Sequence, residues 1–198
     1  MKILLTSDTY LPRLGGGEYH VHYVLTELRA LGHEVTLVTT EPMAAPLPDE
    51  SGVVRIQQGI PSTLHLLSVL WRETQKVELV HAHYNYRLTF FTAIIAWIQR
   101  KPFVLTQHGL GLLPQVETTF LHSIVFALWR RVGMLLSSRI ISTSEDLSSV
   151  IRELGFGKKI ILIPNGYDPK RFQAMPPADS LSPRLLTVRR LVPKTGIQ

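Results

Sequence analysis

Seven short apolar runs, separated mainly by segments of helical period, constrain this chain more than any single residue does. KILLTS (2–7), EVTLVTT (34–40), VVRIQQ (53–58), VELVHAH (77–83), PFVLTQH (102–108), RIISTS (139–144) and KIILIP (159–164) read as strands. Their cores are β-branched or leucine-rich and mostly continuous rather than alternating. Strands covered on both faces of a parallel sheet require that pattern. The segments between them carry the helical spacing. In EYHVHYVLTELRAL (18–31), Val21, Val24, Leu25, Leu28 and Leu31 fall on one face, and Gly32 ends the helix. Residues 61–76, 87–100, 118–136 and 145–154 are the other helices, with Pro61 suited to a first turn and Ser144 to an N-cap. The alternation predicts an α/β fold: a Rossmann-like, doubly wound, mainly parallel sheet with helices on both faces.

Composition narrows the class further. At 198 residues, with 45% hydrophobic and 18% charged, the chain can bury one domain and is too apolar for disorder. The absence of cysteine excludes disulfides, thiolate metal sites and cysteine nucleophiles, and is compatible with a reducing cytoplasm. The opening MKILLTSDTYLPRL has too short an apolar run for a signal peptide, since Asp8 and Pro12 follow at once, so it reads as a buried strand. A net charge of +6 and a pI near 9.8 suit anionic partners such as nucleotide phosphates or an acidic membrane surface. The cations are scattered, and no arginine-rich run with interleaved aromatics points to nucleic acid.

Two proline-rich stretches interrupt the pattern. EPMAAPLPDESG (41–52) reads as a loop and QAMPPADSLSP (173–183) as a linker, with the strand RLLTV straight after it. The expected organisation is one α/β domain over residues 1–172, a linker over 173–183, and the first strand and turn of a second domain over 184–198.

Ligands of open parallel sheets bind beyond the carboxyl ends of the strands, which selects the candidate residues. After the first strand come Gly15, Gly16 and Gly17, with Glu18 opening the helix. The glycines permit close backbone approach, and free N–H groups there attract anions. This is neither G-x-G-x-x-G nor a P-loop, and taken alone the glycines are better explained as a plain structural turn. His81, His83 and Tyr84 end the fourth strand. Two imidazoles on one face raise a metal reading, but the neighbouring sequence supplies no third ligand, so contact with a polar ligand or a sheet cap is preferred. His108, followed by Gly109, ends the fifth strand and can hydrogen-bond a hydroxyl or phosphate, or act as acid or base. Its alternative is a histidine satisfied by backbone groups. Asn165, Gly166 and Asp168 follow the seventh strand, with Asn-Gly as a turn signal and Asp168 as an N-cap.

Taken in order, GGGEYHVHYVLTELRALGHEVTLVTT, VELVHAHY, PFVLTQHG, RIISTSE and IPNGYDPKRF resemble the N-terminal, acceptor-side domain of the retaining, nucleotide-sugar-dependent glycosyltransferases of family 4, which have the two-Rossmann-domain GT-B fold. TVRRLVPKTG resembles the start of their donor-binding domain. The resemblance implies that Gly15, Gly16 and Gly17 lie against the donor phosphates, that His108 sits by the transferred sugar and is catalytic, and that Arg190 and Lys194 reach the donor pyrophosphate. It implies that the motif of Asn165, Gly166 and Asp168 helps shape the entry to the interdomain linker; Glu18, His81, His83, Tyr84 and Asn165, by their positions, are expected on the acceptor or sugar side. The closing motif departs from the family pattern, with Arg189 in place of a glycine and Thr195 where lysine is usual, Lys194 standing one place earlier. No Asp-x-Asp motif appears, so no metal and no cofactor is expected, the nucleotide-sugar being a co-substrate. Cationic and N–H groups must then stabilise the charge on the leaving pyrophosphate.

The same resemblance puts a hydroxyl acceptor in this domain. RLTFFTAIIAWIQR (87–100) and TTFLHSIVFALWRRVGMLL (118–136) are unusually apolar, with arginines at their ends or within them. Neither offers the roughly 20 uninterrupted apolar residues of a membrane span. The second reads either as a core helix with a domain-interface face or as an interfacial helix with Arg130 and Arg131 beside Trp129. The protein is expected to be cytoplasmic and, on the interfacial reading, a peripheral enzyme at the inner face of the membrane acting on a lipid-linked or polysaccharide-precursor acceptor. On either reading residues 1–198 alone are expected to be inactive, because most donor contacts belong to the donor-binding domain. Two other functions fit the same residues: a glycan- or partner-binding domain of a split glycosyltransferase, and a nucleotide-sugar epimerase of similar shape.

Overall fold

The computed structural model describes residues 1–40, 51–56, 61–84, 86–109, 120–167, 169 and 172. The chain divides into two compact units, Met1–Asn165 and Gly166–Gln198. In the second, the described residues include Tyr167 and Phe172, both exposed. The expected linker and second-domain start, with Arg190 and Lys194, lie outside the described residues, as does Asp168.

The first unit is the doubly wound sheet that the apolar runs predict. Strands β1 (Lys2–Ser7), β2 (Glu34–Thr39), β3 (Val53–Arg55), β4 (Leu79–His83), β5 (Phe103–Gln107), β6 (Arg139–Ser142) and β7 (Ile160–Leu162) form one sheet in the order β3-β2-β1-β4-β5-β6-β7. Every pairing is parallel. Helices α1 (Gly16–Ala30), α2 (Pro61–Gln75), α3 (Arg87–Ile98), α4 (Phe120–Leu136) and α5 (Glu145–Glu153) connect them.

Alternate residues of each strand feed opposite layers, which is why the apolar runs are continuous. Ile3 and Leu5 of β1 and Val35 and Leu37 of β2 pack with Val21 and Leu25 of α1. Leu4 and Val38 face the other way, into a core shared with Leu66 and Leu70 of α2 and Leu88, Ala93 and Ala96 of α3. Leu31 is a correction. It was expected on the buried face of α1 but is 72% exposed, because the helix stops one residue earlier and Leu31 is its C-cap.

Three helix ends share one closing device. After α1, His33 N–H bonds the Leu28 carbonyl and Gly32 N–H the Arg29 carbonyl, with Gly32 at φ +83°. After α5, Phe156 and Gly155 repeat this on Ile151 and Arg152, with Gly155 at φ +88°. These are Schellman motifs, whose turning residue needs a left-handed backbone. α3 ends the same way, Lys101 and Arg100 bonding Ala96 and Trp97, but Arg100 holds the turning position at φ 55°. At the other end of α5, Ser144 Oγ accepts the Leu147 N–H as the N-cap expected of it. α4 is finished from outside, where Lys159 Nζ donates to the carbonyls of Met134, Leu135 and Ser137.

Candidate functional site

The strand order reverses between β1 and β4, so the loops leaving these two strands part to opposite sides and open a crevice at their carboxyl ends. Crevices at such switch points are where open α/β sheets bind ligands. Register places Ser7, His83 and Thr106 side by side across β1, β4 and β5. The residues just beyond, Asp8, Tyr84 and His108, therefore meet there, together with the first turns of α1.

Tyr84 is bent into place. Its backbone is left-handed, φ 65°, a conformation a bulky residue adopts only when its surroundings enforce it. Here its N–H bonds the Thr106 carbonyl at 3.0 Å and its carbonyl accepts the Thr89 hydroxyl at 3.0 Å. The turn carries the phenol across α1, where the Tyr84 hydroxyl lies in the space a Cβ on Gly17 would need. That gives Gly17 a structural reason to be glycine. Nothing crowds Gly16 in this way.

His20 from α1, His83 from β4 and His108 after β5 converge beside this contact. His83 is fully buried and its Nδ1 lies 3.1 Å from His108 Nε2. His20 packs edge-on to both, with ring centroids 4.7 Å from His108 and 5.6 Å from His83. Tyr84 touches His108 from another side, centroids 4.7 Å apart. His81 shares a face with His83, as their spacing required, at 4.3 Å between centroids, but its Nε2 is held at 2.7 Å by the Thr106 hydroxyl. The four imidazoles are neutral near pH 7. Burial lowers the pKa of His108 to about 3, helped by His20 and His81, and that of His81 to about 4. Burial also depresses His83 strongly and His20 less so. His108 can therefore donate or accept a hydrogen bond at neutral pH, but it is not a standing cation.

The remaining candidates divide. Glu18 is buried and paired with Arg13, Nε to Oε1 at 3.6 Å; its charge also raises the pKa of Tyr84, behind the larger effect of burial. Gly15 is the extended residue preceding α1. Asn165 is exposed after β7.

Two residues enter that the sequence reading missed. His20 lies 63 residues from His83 in the chain, so no local motif joins them. Asp8 stands directly after β1, a signal that was available. Burial raises its carboxyl to about 7, against the lowering effects of the Leu88 N–H and the Arg87 charge. Its Oδ2 is out of contact with solvent and has no hydrogen-bond partner among the described residues.

The sequence profile of Glycosyltransferase Family 4 matches residues 14–171 of this chain. The chain belongs to glycosyltransferase family 4. This family-4 chain is 22% identical over 219 residues to a phosphatidylinositol N-acetylglucosaminyltransferase subunit of Arabidopsis thaliana, the match covering 99% of the chain and 46% of that protein. Among solved structures it is similar to the UDP-GlcNAc 2-epimerase of Methanocaldococcus jannaschii, with TM-score 0.63, 15% identity, and 83% of this chain against 46% of that one. It is also similar to an alpha-glucosyltransferase solved with UDP and a 13-mer DNA, with TM-score 0.57, 12% identity, and 86% against 42%. The chain spans about half the length of the relatives it matches. At such identities the structural likeness establishes the fold, which is the Rossmann-like one expected for the N-terminal side of a GT-B enzyme.

Proposed function

We propose that this chain is the acceptor-side part of a retaining glycosyltransferase that moves a sugar from a nucleotide-sugar donor to a hydroxyl acceptor. The observation that carries the reading is the convergence of His108, Tyr84 and the Gly15–Gly17 turn at the switch-point crevice of a family-4 chain. The turn offers bare backbone to the donor phosphates at Gly15 and Gly16, while the Tyr84 hydroxyl fills the space beside Gly17. His108, neutral and backed by His83, hydrogen-bonds a hydroxyl of the transferred sugar. A neutral donor there does not compete for the phosphates, which are left to backbone N–H groups of the glycine turn. Transfer on this reading needs no phosphate-bridging metal and no cofactor.

The acceptor is a lipid-linked or polysaccharide-precursor hydroxyl, reached from the cytoplasmic face of an anionic membrane. Support comes from α4, where Ile124, Leu128 and Leu135 are 48%, 56% and 52% exposed and line one stripe with exposed Arg131, and from Trp97 and Ile98 at the end of α3, 66% and 51% exposed. Trp129, which only the interfacial reading puts at the membrane, is half-buried against Phe90 and Phe126. No helix among the described residues is long and apolar enough to cross a membrane. Vesicles containing anionic lipid should sediment the protein at low salt; failure to do so ends the membrane part of the proposal.

Transfer is tested with UDP-, GDP- and ADP-linked sugars, with and without acceptor, using this chain alone and joined to a donor-binding domain. The chain alone should be inactive, and the joined protein should transfer only when acceptor is present. In that protein His108→Ala should lower kcat at least a hundredfold with little change in donor KM. Sugar isomerisation without acceptor would identify an epimerase instead, and donor binding without any turnover a binding domain.

A further inference from the structure

We propose that His20, His83 and His108 form a binding site for one divalent transition-metal ion of the zinc class. The three imidazoles come from three separate elements, and their candidate ligand nitrogens all lie within 4.8 Å of one another. Two are already at ligand spacing. His83 Nδ1 and His108 Nε2 are 3.1 Å apart, and two nitrogens each bound at about 2.0–2.1 Å to a tetrahedral ion would be roughly 3.4 Å apart. The proton these nitrogens share occupies the place an ion would take, and neutral imidazole is the ligating form.

His20 completes the set. It stands on the first turns of α1, half-buried, with its ring already against both others. Closing to ligand distance asks for a movement on the order of 1 Å, which side-chain torsions supply without shifting the helix. His83 cannot move in this way, since it is fully buried within the sheet; its Nε2 has no hydrogen-bond partner among the described residues. The site therefore has one ligand fixed in the sheet, a second already in contact with it, and an adjustable third. His81, the neighbouring ring, is engaged by Thr106 and stays outside the set.

The donor chemistry fixes the class of ion. Three neutral nitrogens with no carboxylate suit zinc, cobalt, nickel or copper and discriminate against magnesium and calcium, which prefer oxygen. Such a site differs from a magnesium ion bridging donor phosphates. Three protein ligands leave a fourth position for water or a ligand oxygen.

The test uses the tag-free, metal-free chain titrated with Co²⁺, read by the visible ligand-field bands of a four- or five-coordinate ion. One Co²⁺ per chain should bind and be displaced by Zn²⁺, and Mg²⁺ should not compete. His20→Ala should weaken Co²⁺ binding at least tenfold, with circular dichroism confirming the fold, and His83→Gln should do the same. His65→Ala, which removes an exposed histidine on α2, should leave binding unchanged. Zn²⁺ should raise the Tm of the parent chain and not that of His20→Ala. Absence of cobalt bands in the parent overturns the site. So does equal affinity in His20→Ala and the parent, which would place the ion elsewhere, for example at the N-terminal amine and His33, 3.4 Å apart. If His20→Ala does not fold, His20→Gln is read against the same criteria.

Discussion

Replacing Asp8 with Asn should stabilise the protein at neutral pH, and the gain should shrink as pH falls. Asp8 is enclosed at the end of β1, with Oδ2 unpartnered among the described residues and a carboxyl pKa raised from 3.8 to about 7, chiefly by burial. A carboxyl whose folded pKa is raised favours the folded state fully only below its unfolded pKa. As pH climbs from 3.8 through 7 the unfolded chain releases its proton and the folded one holds it, so stability drains away. Integrated over that difference, the burden of Asp8 is on the order of 4 kcal/mol at pH 7 and about 2 kcal/mol at pH 5. Asn has the shape of the protonated acid and can still accept the Leu88 N–H, but it does not titrate. The assay is urea unfolding of parent and variant at pH 5 and 7. Other titrating groups, the histidines included, cancel in the difference between the two proteins. The variant should be the more stable at pH 7, and its advantage should fall by about 2 kcal/mol at pH 5. An Asn variant less stable than the parent by the same amount at both pH values would refute the reasoning, because it would mean that Arg87 holds Asp8 as an ordinary carboxylate.

Gly17→Ala should cost about 1–3 kcal/mol through its clash with the Tyr84 hydroxyl, and Tyr84→Ala should relieve most of that cost in the double variant. A double-mutant cycle in thermal unfolding that shows no coupling between the two would exclude the contact. Arg100→Gly should stabilise by roughly 1 kcal/mol, since Arg100 occupies the left-handed turning position after α3; at this chain length that is a Tm increase of about 2–4 °C. Lys159→Met should destabilise by about 1–2 kcal/mol, because it leaves the Met134, Leu135 and Ser137 carbonyls at the end of α4 without their shared donor. An unchanged urea midpoint would show that water replaces the ammonium there without cost.

What the sequence determined by itself is the layered plan. Continuous apolar strands can be stable only between two covered faces, so the alternation of such strands with amphipathic helices implied a parallel sheet, and the sheet's open end located the candidate residues. Local signals with local physics were also legible: the Gly32 terminus, the Ser144 cap and the shared face of His81 and His83 depend on neighbours a few residues away. Tertiary structure decided whatever depends on distant partners. Leu31 has the spacing of a core residue, yet the helix ends before it. Trp129 sits beside arginines in the chain but packs between helices. Arg100 turns a helix end that usually asks for glycine, because the following chain must enter β5. At the crevice, the spacing of His81 and His83 gave a pair, while the partnership that forms joins His83 to His20 and His108 across three elements. Sheet order sets that grouping, since parallel pairing of β1, β4 and β5 aligns positions dozens of residues apart. The protonation of Asp8 and the neutrality of His108 follow from the same cause: both depend on how much water the assembled crevice excludes, which no single stretch of sequence controls.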